Sequence, residues 1–126
     1  MKTKILLVLG VIFFTLSCEK EGDSYIKPLK EVSACGYDDP LNQLEWLNEL
    51  ANKSFDDKTG NYIGSIWIIT YENSDIIVTD MALGSGGIAF YFFDCNGIQP
   101  SDLEDLSLDE LNSYLTDSNK IFSTSN

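Results

Sequence analysis

The sequence of 126 residues contains neither histidine nor arginine, and its eight positively charged side chains are all lysines. Histidine is the side chain that most often serves as a general base near neutral pH, so its absence argues against acid–base catalysis. No serine or cysteine has a recognisable activating residue beside it. We therefore predict that the chain is not an enzyme. Two carboxylates at predicted strand ends, Asp80 and Asp94, are the alternative, as in glycoside hydrolysis.

Positive charge is scarce along the whole chain, which has twenty acidic residues and a formal net charge of −12. Lys2 and Lys4 precede an apolar leading segment, and the rest of the chain carries six lysines against twenty acids, a formal −14. Such a surface is a poor partner for nucleic acid and for anionic lipid headgroups. Solubility is the simplest role of the acids, and a cation or a basic protein surface is the alternative.

A long hydrophobic run occurs at residues 5–16, between the two leading lysines and Ser17-Cys18. Twelve helical residues extend roughly 18 Å, whereas the hydrocarbon core of a bilayer is about 30 Å thick. A basic start, an apolar stretch of this length and a small residue before the cut are typical of a secretory signal peptide. We predict that residues 1–17 are such a signal, in preference to a buried helix.

Residues 1–18 resemble the signals of bacterial lipoproteins, in which the cysteine after the cut is acylated, for example with palmitate. The resemblance implies lipidation of Cys18 and attachment to the outer membrane of a bacterial cell envelope. The domain would then be periplasmic or exposed at the cell surface. Thr15 stands where these signals usually have leucine. Cleavage after Ser17 without lipidation is therefore the alternative.

The three cysteines support an exported protein. If Cys18 carries lipid, Cys35 and Cys95 remain as a pair, and thiols exported into an oxidising compartment are usually bridged. Closing a loop of sixty residues would stabilise the fold by about 4 kcal/mol on the chain-entropy model. A metal site is the competing reading, but without histidine two cysteines would need carboxylates to complete a zinc shell. We predict a disulfide, no metal and no cofactor.

The chain after the signal has room for one small domain, burying roughly 60% of the surface of its unfolded chain. We predict a flexible tether over residues 18–33, in which Tyr25, Ile26 and Val32 could add a short edge strand. Residues 34–126 would form a single α+β domain.

A helix is predicted from Pro40, because Asp39 is a suitable N-cap and proline is favoured at the first helical position. Apolar residues then recur at helical spacing at Leu41, Leu44, Leu47, Leu50 and Ala51. Trp46 lies at the edge of this stripe. The pattern predicts an amphipathic helix of about three turns that packs on one face of a sheet, against side chains such as Ile66, Ile68 and Phe90.

Three strands are predicted at residues 62–71, 75–81 and 88–93. The first and third are apolar on both alternating faces, which is typical of strands covered on both sides. Short turn-forming segments separate the three, so we predict an antiparallel meander of three to four strands. For residues 55–61, between the helix and the first strand, we predict a turn rather than a calcium-binding loop.

The C-terminal region offers two overlapping helix starts, Ser101 with Glu104 and Ser107 with Glu110. Leu108, Leu111, Tyr114 and Leu115 share one face of the second. We predict a short C-terminal helix there and mostly frayed chain over residues 118–126, where only Ile121-Phe122 could dock.

Two blocks resemble motifs of a group of small exported bacterial lipoproteins of unknown function. They are Cys35-Gly36-x-x-Asp39-Pro40-Leu41-x-x-Leu44-x-Trp46-Leu47 and Phe92-Phe93-Asp94-Cys95-Asn96-Gly97. Glu45 stands where the group tends to have proline. The resemblance implies a lipid-anchored α+β domain and no particular activity.

The aromatic residues of the predicted strands suggest how such a domain would act. One small helix cannot cover both sheet faces, so either the C-terminal helix shields the second face or an aromatic patch remains for a partner. We predict a partner surface at Trp67, Tyr71 and Tyr91, suited to a protein or a glycan. The predicted function is a non-catalytic binding or adaptor module anchored to the membrane by lipid. A structural accessory subunit of an envelope complex is the alternative.

Overall fold

The structure is a computed structural model that describes residues 25–86, 90–103 and 106–125. The predicted signal peptide, Cys18 and Glu104 lie outside these ranges. Every helix within them is too short or too polar to span a bilayer. These residues form three α-helices, one 3-10 helix at Ser54–Asp56 and four strands: α1 Pro40–Gln43, α2 Glu45–Lys53, β1 Ser65–Tyr71, β2 Ser74–Thr79, β3 Tyr91–Phe93, α3 Leu108–Tyr114 and β4 Lys120–Ser123.

The four strands form one antiparallel sheet in the order β3-β2-β1-β4, which confirms the predicted α+β class and the meander of the first three strands. Strands β1 and β2 are joined by a two-residue turn at Glu72-Asn73, and both residues have positive φ, as tight hairpin turns require. Tyr71 therefore lies opposite Ser74, and Ile66 lies opposite Thr79.

Strand β4 corrects the prediction that residues 118–126 are mostly frayed. Lys120–Ser123 pairs with β1, with Phe122 opposite Ile66, and both Ile121 and Phe122 are buried. A strand of four residues is too short to show an alternating pattern, and its partner is more than fifty residues away in the chain. Burial of two adjacent apolar side chains nevertheless compensates for ordering this segment.

The predicted first helix is interrupted at Leu44, which has extended backbone angles (φ −84°, ψ 109°) and separates α1 from α2. The amphipathic face is confirmed, because Leu41, Leu47 and Ala51 are buried together with Leu44. The bend lets the Leu44 side chain reach the core. Its N–H still bonds to the Pro40 carbonyl. The predicted single helix is therefore two short helices, α1 and α2, that meet at Leu44.

Strand β1 is covered on both faces, as its sequence predicts. On the first face, Ile66 and Ile68 belong to the core beneath α1 and α2. On the second face, Trp67 and Ile69 belong to a core covered by Leu103 and residues 106–115, which include α3 and which we call the C-terminal segment. Phe90 was expected on the first face but packs on the second, with its ring centroid 6.4 Å from that of Trp67.

The segment at residues 25–29 is bound to the domain, although it falls within the predicted tether. Ile26 is only 6% exposed; its N–H donates to Asn42 Oδ1 (2.8 Å), and its carbonyl accepts from Asn42 Nδ2 (2.7 Å). The Leu29 N–H donates to the Ile121 carbonyl (2.8 Å). The packed part of the chain therefore begins by Ile26, well before residue 34.

The turn after α2 is organised by the carboxylate of Asp57. Oδ1 accepts from the Thr59 hydroxyl and backbone N–H, and Oδ2 accepts from the Tyr62 N–H. These hydrogen bonds, led by that of the Thr59 hydroxyl, lower the pKa of Asp57 from its usual value of 3.8, because they favour the ionised form.

We expect Asp57→Asn to lower the free energy of unfolding at pH 7 more than Asp56→Asn, which removes the same charge from an exposed neighbour. Because the pKa of Asp57 is depressed by folding, its contribution is present above the unfolded value and is lost as pH falls through the folded value. The difference in the free energy of unfolding between the two variants should therefore become smaller below pH 3.8. Urea unfolding at pH 7 and at acid pH measures it; a difference that does not depend on pH would contradict this account.

Candidate functional site

The structure does not bring Trp67, Tyr71 and Tyr91 together as a partner surface. Trp67 is 8% exposed, beneath the C-terminal segment, with the Lys120 ammonium 5.5 Å from its ring. Tyr71 is half-buried on the same face, edge-on to Tyr114. Tyr91 stacks on Phe93, which packs against the core of the opposite face. The second face of the sheet is thus shielded by the C-terminal helix and its neighbours. Of the two alternatives given by the sequence, this is the shielded face and not the exposed aromatic patch.

Asp80 and Asp94 do not form the carboxylate pair that glycoside hydrolysis needs. Asp80 Oδ1 accepts from the Ser65 N–H (2.6 Å), and Asp94 Oδ1 accepts from the Asn96 and Ile98 N–H groups (2.8 and 3.0 Å). In the register of β2 and β3 the two aspartates lie at opposite strand ends, about 14 Å apart along the sheet. That separation exceeds the roughly 5–10 Å of paired catalytic carboxylates.

The predicted Cys35–Cys95 disulfide is present and joins the turn before α1 to the turn after β3. Disulfides of this kind are typical of proteins in oxidising compartments outside the cytoplasm. We name the region around this bond the disulfide corner; it comprises Cys35, Cys95, Asp75, Trp46 and Gly97.

Within the disulfide corner, the Asp75 carboxylate lies beside the sulfur atoms. Its Oδ2 accepts from the Cys35 N–H (2.9 Å), and a carboxylate oxygen lies within 4.8 Å of both sulfurs. Two thiolates and a carboxylate at this spacing would suit a metal ion, but the bond between the sulfurs removes two of the ligands. Asp94 and Asp102 line the same depression of about 320 Å³, so the approach to Cys95 is acidic.

Trp46 closes the disulfide corner from the helix side. Its indole N–H donates to the Cys95 carbonyl (3.0 Å), and its ring lies 5.4 Å from that of Phe93. Gly97 approaches so closely that a Cβ atom there would lie 2.9 Å from Trp46 Cδ2. The indole ring of Trp46 occupies the space that a side chain at position 97 would need. This explains the glycine that ends the motif Phe92-Phe93-Asp94-Cys95-Asn96-Gly97.

A cleft of about 470 Å³ lies beside the start of α1, and we name it the N-terminal cleft. One wall is the bound segment that ends at Ser33, the other is the start of α1, and Ile121 lies between them. Its remaining lining combines apolar with charged side chains: Tyr25, Pro28, Val32, Pro40 and Leu41 with Lys30, Glu31, Asp38 and Asp39.

Asp39 carries the one unsatisfied side-chain atom found among the buried polar atoms of the described residues. Its Oδ2 accepts from Asn42 Nδ2 (2.9 Å), whereas its Oδ1 is buried and has no hydrogen-bond partner. Asp39 was expected to cap α1, but its side chain bonds no backbone N–H of that helix. Gln43 instead closes the first turn by accepting from the Asp39 N–H (2.8 Å).

The chemistry of the N-terminal cleft suits a ligand with an apolar body and a hydrogen-bond donor or positive charge. Buried polar atoms are normally satisfied, so the unpartnered Oδ1 of Asp39, a residue in the wall of the cleft, indicates where a donor would be accepted. Sequence reasoning missed this cleft because it assigned one wall to the tether. The available signal was the group of apolar residues Ile26, Leu29 and Val32 within a segment that is otherwise mostly polar.

Comparison of the chain with protein-family models, curated proteins and solved structures finds no match. The candidate site therefore rests on the geometry of this chain alone.

We expect Gly97→Ala to lower the free energy of unfolding by about 2–4 kcal/mol, through both its positive φ (+78°) and the contact with Trp46. Gly60→Ala is the matched control, because Gly60 has a similar φ (+83°) but open space around it, and should cost only about 1 kcal/mol. Urea unfolding followed by tryptophan fluorescence measures both. Equal losses would show that Trp46 does not pack on this turn.

We expect Asp75→Asn to accelerate reduction of the disulfide by glutathione roughly three- to tenfold at low salt. An attacking or leaving thiolate is repelled by the carboxylate, and this effect is worth about 1 kcal/mol near a surface. The asparagine oxygen can still accept the Cys35 N–H, so stability should change little. Thiol alkylation and mass spectrometry give the rates. Asp109→Asn, on exposed α3, is the control; equal rates in the two variants would exclude the repulsion.

Proposed function

We propose that this chain is a lipid-anchored protein of a bacterial outer membrane, and that its domain binds a partner without catalysing a reaction. The contact is made in the N-terminal cleft. The observation that carries the proposal is Asp39, which lines this cleft and whose Oδ1 is buried without a hydrogen-bond partner. Leaving such an oxygen without a donor costs roughly 1–3 kcal/mol, and a ligand that donates to it recovers this energy.

The lipid anchor is supported by the leading segment and by the cysteine pairing. Cys35 and Cys95 are bonded to each other, so Cys18 is the one cysteine of the sequence left for acylation. A free exposed thiol in an oxidising compartment would be reactive, which makes a lipidated Cys18 the more stable arrangement.

The partner is a protein or a glycan that presents a donor group, and an ammonium group fits best. Glu31, Asp38 and Asp39 give the cleft three carboxylates against the single ammonium of Lys30. The tyrosine and proline rings of its lining offer apolar surface next to these charges. Nucleic acid is a poor partner because of the acidity of the whole chain.

A structural accessory subunit of an envelope complex is the second candidate. It is favoured by large apolar side chains that remain exposed on the domain, namely Tyr37, Phe55, Ile63, Ile98 and Leu108. These residues are spread along the chain, whereas the cleft gathers its polar and apolar groups in one place.

The test is photo-cross-linking in intact cells with a benzophenone amino acid in place of Ser33, which lines the cleft and is exposed. We expect this probe to capture one specific envelope component. Asp39→Asn should reduce capture at least fivefold, because a hydrogen bond to a charged group contributes about 1.5–3 kcal/mol.

Two controls accompany this experiment. Asp56→Asn removes the same charge outside the cleft and should leave capture unchanged. The benzophenone probe placed at Asn112, exposed on α3, should not capture the component. Equal capture from Ser33 and Asn112, or capture that does not respond to Asp39→Asn, would refute binding in the cleft.

A further inference from the structure

The first described segment presents one side to the domain and the other to solvent. Ile26 is buried, whereas Tyr25 is 71% and Leu29 is 49% exposed, and Lys27 and Lys30 are exposed as well. We name these four outward side chains the N-terminal surface. It combines an aromatic, an aliphatic and two basic groups within six consecutive residues.

The N-terminal surface is held in place by hydrogen bonds to the folded domain. Asn42 bonds both backbone groups of Ile26, and the Ile121 carbonyl accepts the Leu29 N–H. Tyr25 and Leu29 therefore project from ordered backbone at the edge of β4. Their exposure is a property of the folded domain.

The charge of this surface is opposite to that of the chain as a whole. Residues 25–30 contain two lysines and no acid, in a chain with twenty acids. Beside them lies a depression of about 310 Å³ lined by Leu29, Lys30, Asp117, Lys120, Ser123 and Ser125. Lys120 is paired with Asp117 in this depression (Nζ to Oδ1 3.5 Å), so Lys30 supplies its positive charge for an anionic group.

The length of chain before Tyr25 limits where this surface can be. Six residues lie between Cys18 and Tyr25, and the seven steps from Cα to Cα span at most about 25 Å when fully extended. A domain of this size is itself about 30 Å across. A lipid on Cys18 therefore keeps the N-terminal surface close to the bilayer, and the short tether does not let the domain move far from it.

We propose that the N-terminal surface docks on the membrane that holds the anchor. Tyr25 and Leu29 enter the interfacial layer, and Lys27 and Lys30 contact lipid phosphates. Tyrosine is enriched at membrane interfaces, and lysine can keep its ammonium among headgroups while its alkyl stem lies deeper. This inference rests on the proposed lipid anchor. It also directs the N-terminal cleft, which shares Tyr25 and Lys30, toward partners at the headgroup layer.

The test uses the full lipidated chain with Tyr25→Trp, reconstituted in vesicles of phosphatidylethanolamine and phosphatidylglycerol (about 3:1) with brominated acyl chains. Bromine quenches nearby tryptophan. We expect the fluorescence added by Tyr25→Trp to be quenched at least twofold and shifted to the blue. Ile98→Trp is the matched control, because Ile98 is 62% exposed and follows β3, at the opposite edge of the sheet from β4. Its added fluorescence should be unaffected.

Vesicle flotation separates the anchor from the docking. Flotation that is lost in Cys18→Ser supports the anchor. Floating protein whose Tyr25→Trp fluorescence is not quenched, or is quenched no more than that of Ile98→Trp, overturns the docking alone. Failure of the unaltered chain to float overturns the anchor and the docking with it. Lys27→Gln combined with Lys30→Gln should weaken the quenching of Tyr25→Trp at least twofold, and an unchanged signal would remove the role of the lysines.

Discussion

Strand β1 needs apolar cover on both of its faces, and the remaining elements are arranged to supply it. Ile66 and Ile68 require one layer, and Trp67 and Ile69 require another. A small domain has only short elements with which to build each layer. The first layer consists of α1, α2 and the bound N-terminal segment. The second consists of the C-terminal segment, which includes α3. The requirement also explains why Trp67 is not available to a partner.

The disulfide corner connects the helical layer to the sheet by several kinds of interaction. The Cys35–Cys95 bond, the Trp46 hydrogen bond to the Cys95 carbonyl and the Asp75 bond to the Cys35 N–H all cross the same boundary. A small core that buries only part of its chain benefits from such reinforcement, because neither short helix would be stable by itself.

Features with a local signal could be predicted from the sequence, and features made by distant segments could not. The strand β1, the Ser107 cap of α3 and the cysteine pair follow from periodicity, capping and parity. Strand β4 has too few residues to show a period. The N-terminal cleft lies between two segments, residues 25–33 and the start of α1, that come together only in the folded chain. Burial of Ile26 helps to hold the first segment against the second. The apolar residues at alternating positions of β1 show that both of its faces are apolar. They do not show which other segments of the chain cover each face.

The contacts of β4 have a consequence for the order in which the elements of the fold assemble. The Leu29 N–H donates to the Ile121 carbonyl, and β1 pairs with Lys120–Ser123, so this side of the sheet is completed only when β4 pairs with β1. Contacts between such distant segments form late and slowly. Strand β4 and the N-terminal segment bound to it are therefore expected to join the fold after the β1–β2 hairpin, whose two strands are adjacent in the chain.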